Sequence, residues 1–282
     1  MADFLVYTFF KYAQTNNFYV EEDWFLKKLD ICYYNPSCLS SKDAGAVCSI
    51  LMVLAVGTQF AHMESSASIS SDGRSEDEYR FSEDEVGLTF YQFASKLLPE
   101  IITISSVRSV QACLLIGTYL LPLDTSGLCY TYFGLAVKMA IQNGMHRRYH
   151  GAGFSSRMME VRNRVFWTAY TIEKYAPSLP LSLSFPSLFF FFFFWRVHSS
   201  ITTSPHGRRI SILHGKPSSL SDSDVDAALP VDFPELKPSG QPSNHTNMVS
   251  LITLTLKMGE AAHDMYVPPP ATKKKKKKKK KK

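Results

Sequence analysis

The chain has 282 residues, 45% of them hydrophobic, which is enough to bury one or two ordinary cores and excludes a mini-protein. Its formal charge is +6, from 31 Lys and Arg against 25 Asp and Glu, but ten of the cations form the run Lys273–Lys282; the rest of the chain stands at 21 against 25, or −4. A mildly acidic body of this kind gives no support to nucleic-acid binding through the folded surface, because phosphate neutralisation needs clustered Lys and Arg.

Met1 to Gln14 has no basic segment ahead of an apolar core and no small-residue cleavage site, which argues against secretion. Asp3 is placed to cap a first helix through Phe4, Tyr7, Phe10 and Tyr12, and a second, short amphipathic piece runs from Trp24 to Ile31. Asp43 opens Ala44–Met63, which is apolar almost all round, as a central helix packed on every side should be. Val47–Val56 and Leu188–Trp195 are the most apolar stretches, and each falls well short of the ~20 residues that span a bilayer, so no transmembrane helix and no membrane partner is expected. Residues 64–84 carry seven Ser and seven acidic side chains and read as a solvated, disordered loop.

The S-x-x-E spacing of Ser82 and Glu85 predicts the next helix start, with an end before Pro99. Val107–Leu121, stopped by Pro122, is a further helix. Leu128, Tyr132, Leu135 and Met139 mark another, which Gly144 closes in a left-handed cap. A sixth begins near Ser156 and sets Val161, Val165, Ala169 and Ile172 on one face. No segment alternates as a strand would, so the predicted fold class is all-α, a multi-helix antiparallel bundle.

The pattern breaks at residues 175–208. Pro177–Phe194 uses only Pro, Ser, Leu and Phe and ends in six Phe. A soluble core has no need of such a segment, and an exposed one would be prone to aggregate. These four residues share codons that can begin with two pyrimidines, so the stretch reads as a low-complexity insertion, a candidate translated intron. Removing it would join Lys174 to Arg209 and carry the helical spacing of Ile172 on to Ile210 and Leu213. Lys273–Lys282 is in the same way a candidate translated poly-adenylate tract, with a true polybasic tail as the competing reading. The predicted organisation is a helical first part over 1–174, the insertion over 175–208, the remainder of the same domain over 209–266, and a Pro and poly-Lys tail over 267–282.

The familiar catalytic and nucleotide-binding signatures, G-x-S-x-G, G-x-x-x-x-G-K-[ST], H-E-x-x-H and G-x-G-x-x-G, are missing, so nothing argues for an enzyme. Asp222, Asp224, Asp226 and Asp232 start like a calcium loop, but its sixth position lacks Gly and its twelfth is Phe233. Cys32, Cys38 and Cys48 lack the C-x-x-C pair of a zinc site. With Cys113 and Cys129 they make an odd total, three of them in apolar runs, which suits free thiols in a reducing compartment and makes Asn244-His245-Thr246 a chance sequon. His146-Arg147-Arg148-Tyr149-His150 follows a helix end, where cations offset the dipole; His146 and Arg147 are the candidates for a ligand or inter-helix contact. Glu160 and Arg164 are spaced for an intrahelical ion pair.

Several motifs, in order, together resemble the fungal-specific transcription factor regulatory domain, the middle homology region of the xylanolytic activator type. Gly134-Leu135-Ala136-Val137-Lys138-Met139-Ala140 with Gly144-Met145-His146-Arg147 is similar to the family's G-x-A-x-R-x-A…G-L-H-R helix and turn. Glu160-x-Arg162-x-Arg164-Val165-Phe166-Trp167-x-x-Tyr170 resembles its E-x-R-R-R-x-F-W-x-x-Y helix. His214-Gly215-Lys216-Pro217 and Asp224-x-Asp226 with Leu229-Pro230 resemble its L-G-R-P…D-x-D…L-P segment, which in the family follows the aromatic helix almost at once. Asn163, Lys138, Glu173 and Lys216 depart mildly from the pattern, although Lys cannot reproduce a bidentate Arg contact.

The resemblance implies a nuclear regulator of RNA polymerase II transcription in which no residue is catalytic. Gly134, Ala136, Gly144, Glu160, Arg162, Arg164, Phe166, Trp167, Tyr170, Gly215, Pro217 and Pro230 would shape packing and turns. It implies zinc only in an amino-terminal six-cysteine cluster that reads DNA, whose C-x2-C-x6-C spacing does not occur in these residues; the chain would start after the reader and end short of the family's carboxyl end. Co-regulators, a metabolite effector and a homodimer are the implied partners. The competing readings are a helical enzyme or small-molecule carrier with a pocket among its aromatic residues, and a truncated fragment without function.

Overall fold

The computed structural model describes residues 1–65, 76–123, 127–175 and 219–266. These residues form nine α-helices and no strand: α1 (Ala2–Thr8), α2 (Glu22–Tyr34), α3 (Ala44–Ser65), α4 (Glu76–Ser95), α5 (Leu98–Ile104), α6 (Val107–Leu120), α7 (Leu128–Gln142), α8 (Ser156–Tyr175) and α9 (His245–Tyr266). The chain is an all-α bundle.

The hub is α3. Asp43 starts it by accepting from the Ser40 backbone N–H at 3.1 Å and the Lys28 ammonium at 2.9 Å, and the two donors hold its carboxyl below the usual carboxylate range, the lysine contributing most. Cys48, Met52, Val53, Ala55 and Val56 are then fully buried as α1, α2, α4, α5 and α6 pack around the helix. The sequence reading measured this apolar run too short, since the helix is long and apolar enough to cross a membrane; 78% of its apolar window is instead buried by its neighbours. Gly57 is required where α1 crosses the helix, because a Cβ there would sit 2.4 Å from the Leu5 carbonyl oxygen of α1.

Beyond α1 the helix widens into a π turn, Phe9–Ala13. The next segment, Gln14–Glu21, is a loop that runs through the interior, with Phe18 and Val20 fully buried. A buried backbone must find partners, and side chains supply them. Gln14 Oε1 accepts from the Tyr19 and Val20 N–H groups at 3.0 and 3.1 Å, Gln111 of α6 donates to the Tyr19 carbonyl at 2.6 Å, and Thr168 of α8 accepts from the Phe18 N–H at 2.9 Å. Arg108 of α6 closes the end of the loop with a 2.7 Å bond to Glu21 while its guanidinium lies 3.6 Å over the Trp24 ring.

Several boundaries differ from the sequence expectation. Asp3 lies in the first turn of α1 and does not cap it; Met1 holds the N-cap position. α4 begins at Glu76, not at Ser82, so it takes up the second half of the stretch expected to be a loop. The same S-x-x-E spacing also occurs at Ser75–Glu78, across the start of the helix. Pro99, expected only as a stop, occupies the first turn of α5, where its missing N–H costs nothing. Residues 66–75, most of the proposed insertion, the suggested junction at Arg209, and the tail lie outside the described residues.

Candidate functional site: a segment seated on the eighth helix

The motif residues converge along α8. Val161, Val165 and Ala169 recur one turn apart and are fully buried, which fixes this helix against the bundle. Phe166, Trp167 and Tyr170 form one aromatic cluster, with Trp167 edge-on to the other two at 5.4 and 5.3 Å. The remaining face is polar and holds Glu160 and Arg164, which are 4% and 1% exposed.

A segment from beyond residue 218 is seated on that face. The Arg164 Nε–H donates to Glu160 Oε1 at 2.6 Å, and Arg164 Nη2 donates to the Val231 carbonyl at 2.8 Å. The same Glu160 Oε1 accepts from the Val231 N–H at 3.1 Å, so the pair grips both backbone groups of one residue. One turn on, the Trp167 indole N–H donates to the Ala228 carbonyl at 2.9 Å, and the His245 ring lies 3.1 Å from the Pro230 carbonyl. Burial pushes the Glu160 carboxyl up against the opposing pull of Arg164 and the Val231 N–H. Removing one partner from such a desolvated pair would leave an uncompensated charge.

The turn after α7 completes the seat. Gly144 at φ +66° ends the helix, with Met145 N–H returning to the Ala140 carbonyl at 2.9 Å. This reversal presents the His146 carbonyl, which accepts from both the Asp226 and Ala227 N–H groups at 3.1 Å. Asp226 answers by accepting from the Arg148 N–H at 2.9 Å. Arg162 buttresses the turn by donating to the Asn143 carbonyl at 2.7 Å, with its guanidinium 4.7 Å from the Phe154 ring. At the other end of α8, Glu173 Oε1 accepts from the Ser219 N–H at 2.9 Å. Among the described residues, Glu173 Oε2 and His146 Nδ1 are buried and find no hydrogen-bond partner.

The structure thus brings together Gly144, His146, Glu160, Arg162, Arg164, Trp167 and the buried Pro230, with Phe166 and Tyr170 packed beneath them. Ala136 is buried in α7 and apart from the polar contacts. No described residue comes within 4 Å of where a Cβ on Gly134 would project, so no close approach among them requires a glycine there. Arg147 is exposed and reaches Asp226 only at 3.9 Å, a pair of little energetic weight. Gly215 and Pro217 lie outside the described residues. His146 acts through its backbone carbonyl, a contact any residue could make. Asp226, noticed in the sequence only as part of a weak calcium-like spacing, is spent on holding the turn. Among the described residues no group of three or more His, Cys, Asp or Glu is arranged to hold a metal ion.

Sequence reasoning missed Gln14, Gln111, Thr168 and Asn244. Asn244, 6% exposed, donates both amide hydrogens, to the Gln14 and Asn17 carbonyls at 3.0 Å each. A sequon asparagine with its nitrogen so engaged offers nothing to a glycosyl donor.

A helical bundle with a side-chain latch, whose aromatic residues on α8 are used in packing, fits an all-α domain built to hold a segment in place. The chain belongs to the fungal specific transcription factor domain family, whose profile matches residues 6–178. It is 30% identical over 94% of its length to an uncharacterized transcriptional regulatory protein of Schizosaccharomyces pombe, covering 28% of that protein. It is 30% identical over 64% of its length to the thiamine repressible genes regulatory protein thi1 of the same yeast, covering 23% of it. It is 32% identical over 57% of its length to activator of stress genes 1 of Saccharomyces cerevisiae, covering 16% of it. The chain therefore spans less than a third of each of these relatives. No solved structure matches it.

Proposed function

We propose that the chain is the regulatory domain of a fungal zinc-cluster transcription factor, acting in the nucleus on RNA polymerase II transcription and performing no catalysis. The observation that supports this most is the family match over residues 6–178, which takes in the bundle through α8. Three relatives whose names describe regulators of transcription or of gene sets point the same way. In this reading DNA and zinc enter only through a six-cysteine reader outside these residues, and the bundle answers to co-regulators, a metabolite effector or a second copy. Gly144, Glu160, Arg162, Arg164, Phe166, Trp167, Tyr170 and Pro230 serve by shaping the domain.

The test is to fuse all 282 residues to a heterologous DNA-binding domain and measure a reporter gene in yeast. The fusion is expected to raise or lower reporter transcription several-fold relative to the DNA-binding domain alone, and Arg164→Ala should abolish the change. Unaltered transcription in every growth condition, from a fusion shown to be folded and nuclear, would refute the proposal.

A further inference from the structure

The segment 219–266 is separated in the chain from α8 by residues 176–218, which lie outside the described residues. Its attachment is distributed. Ser219, Asp226, Ala227, Ala228 and Val231 are held by α8 and the turn before it. Farther on, the Ser239 N–H bonds Glu22 at 2.5 Å, Asn244 bonds the interior loop, and Asn247 donates to the Thr15 carbonyl at 3.2 Å. Between these polar contacts Leu220, Ala227, Leu236, Met248 and Ile252 are buried in the common core. Most of the polar contacts along Asp226–Val231 are to backbone groups, as when a peptide is recognised through its main chain, and α9 then adds an apolar helical face.

We infer that the face of α8 with the turn at His146 is a peptide-recognition site, and that residues 219–266 are its ligand, bound on its own merits and not because the chain connects them. The site takes an irregular segment with an acidic residue facing the turn and a buried proline four residues later, followed by an amphipathic helix. A covalent tether raises the local concentration of such a ligand without adding a contact. With many buried contacts on both halves, the complex should outlast loss of the tether.

The experiment uses the full chain, with a site-specific protease sequence inserted after Ser200. After cutting, size-exclusion chromatography at micromolar protein should show both pieces eluting together, with the circular dichroism and melting midpoint close to those of the uncut protein. Asp226 is exposed on the ligand side, and Asp226→Ala removes the acceptor for the Arg148 N–H; it should weaken retention of the cut segment about ten-fold, and Trp167→Phe, which keeps an aromatic ring and loses the N–H, should do the same. Separation of the two pieces at once on cutting, unfolding of the cut protein, or retention indifferent to both substitutions would overturn the inference. Transcription is not part of the readout, so its outcome is independent of the proposed function.

Discussion

Two regions of the bundle hold their partners by opposite means. Around α3 the contacts are mainly apolar, five helices press on one, and what matters most is volume. Along α8 the partner is an irregular backbone gripped by Glu160, Arg164, Trp167 and the His146 carbonyl, so what matters is the position of each hydrogen-bonding group. The first arrangement tolerates exchange of one aliphatic residue for another of similar size. The second tolerates no loss of a partner, because the group left behind is buried and charged or polar.

The largest expected effect tests the second arrangement. Arg164→Ala strands Glu160 in a dry site and should cost about 3–5 kcal/mol in urea unfolding; a loss under 1 kcal/mol would mean that water already reaches the pair. Gly57→Ala tests the first, since its new Cβ meets the Leu5 carbonyl in the backbone and should cost about 1–3 kcal/mol in the same assay. If it proves harmless, α1 does not press on α3 as closely as described.

A smaller effect belongs to the start of α3. Asp43→Asn should cost roughly 1 kcal/mol at neutral pH. The Asp43 carboxyl titrates lower in the folded chain than in the unfolded one, so its contribution is present above the unfolded value and fades as pH falls through the folded one. Melting curves of the two proteins should converge on acidification below about pH 4; a constant gap would show that the charge is irrelevant. The smallest effect is a gain. Gly134→Ala should add about 0.5 kcal/mol, because helix interiors favour alanine and no described residue occupies the space. A loss of reporter control in a protein so stabilised would mark Gly134 as a contact surface for a partner.

Apolar packing was the more legible in the sequence. Asp43 marked the start of α3, and on α8 the apolar spacing was equally legible: of Val161, Val165, Ala169 and Ile172, expected on one face, the first three are fully buried and Ile172 partly so, while Gly144 marked a real helix end. Pattern gave less where polar groups decide. An i, i+4 pair such as Glu160 and Arg164 looks the same on a surface as in a core, and the grip on Val231 is set by residues far apart in the chain. Gln14 and Gln111 carry no periodic signal, yet they satisfy a backbone that would otherwise be unpaired inside the protein. Ser82 misled because S-x-x-E occurs twice within a few residues, and the upstream copy is the one adjoining the helix start.

The thiols set deep in the bundle have a practical consequence. Cys48 and Cys113 are sealed from solvent, and burial pushes the Cys113 thiol up to about 12 and that of Cys48 higher still. Neither can present a thiolate to an alkylating reagent while the helices stay together. Exposed Cys38 reacts first, and the slow labelling that follows becomes a clock for how often the interior opens.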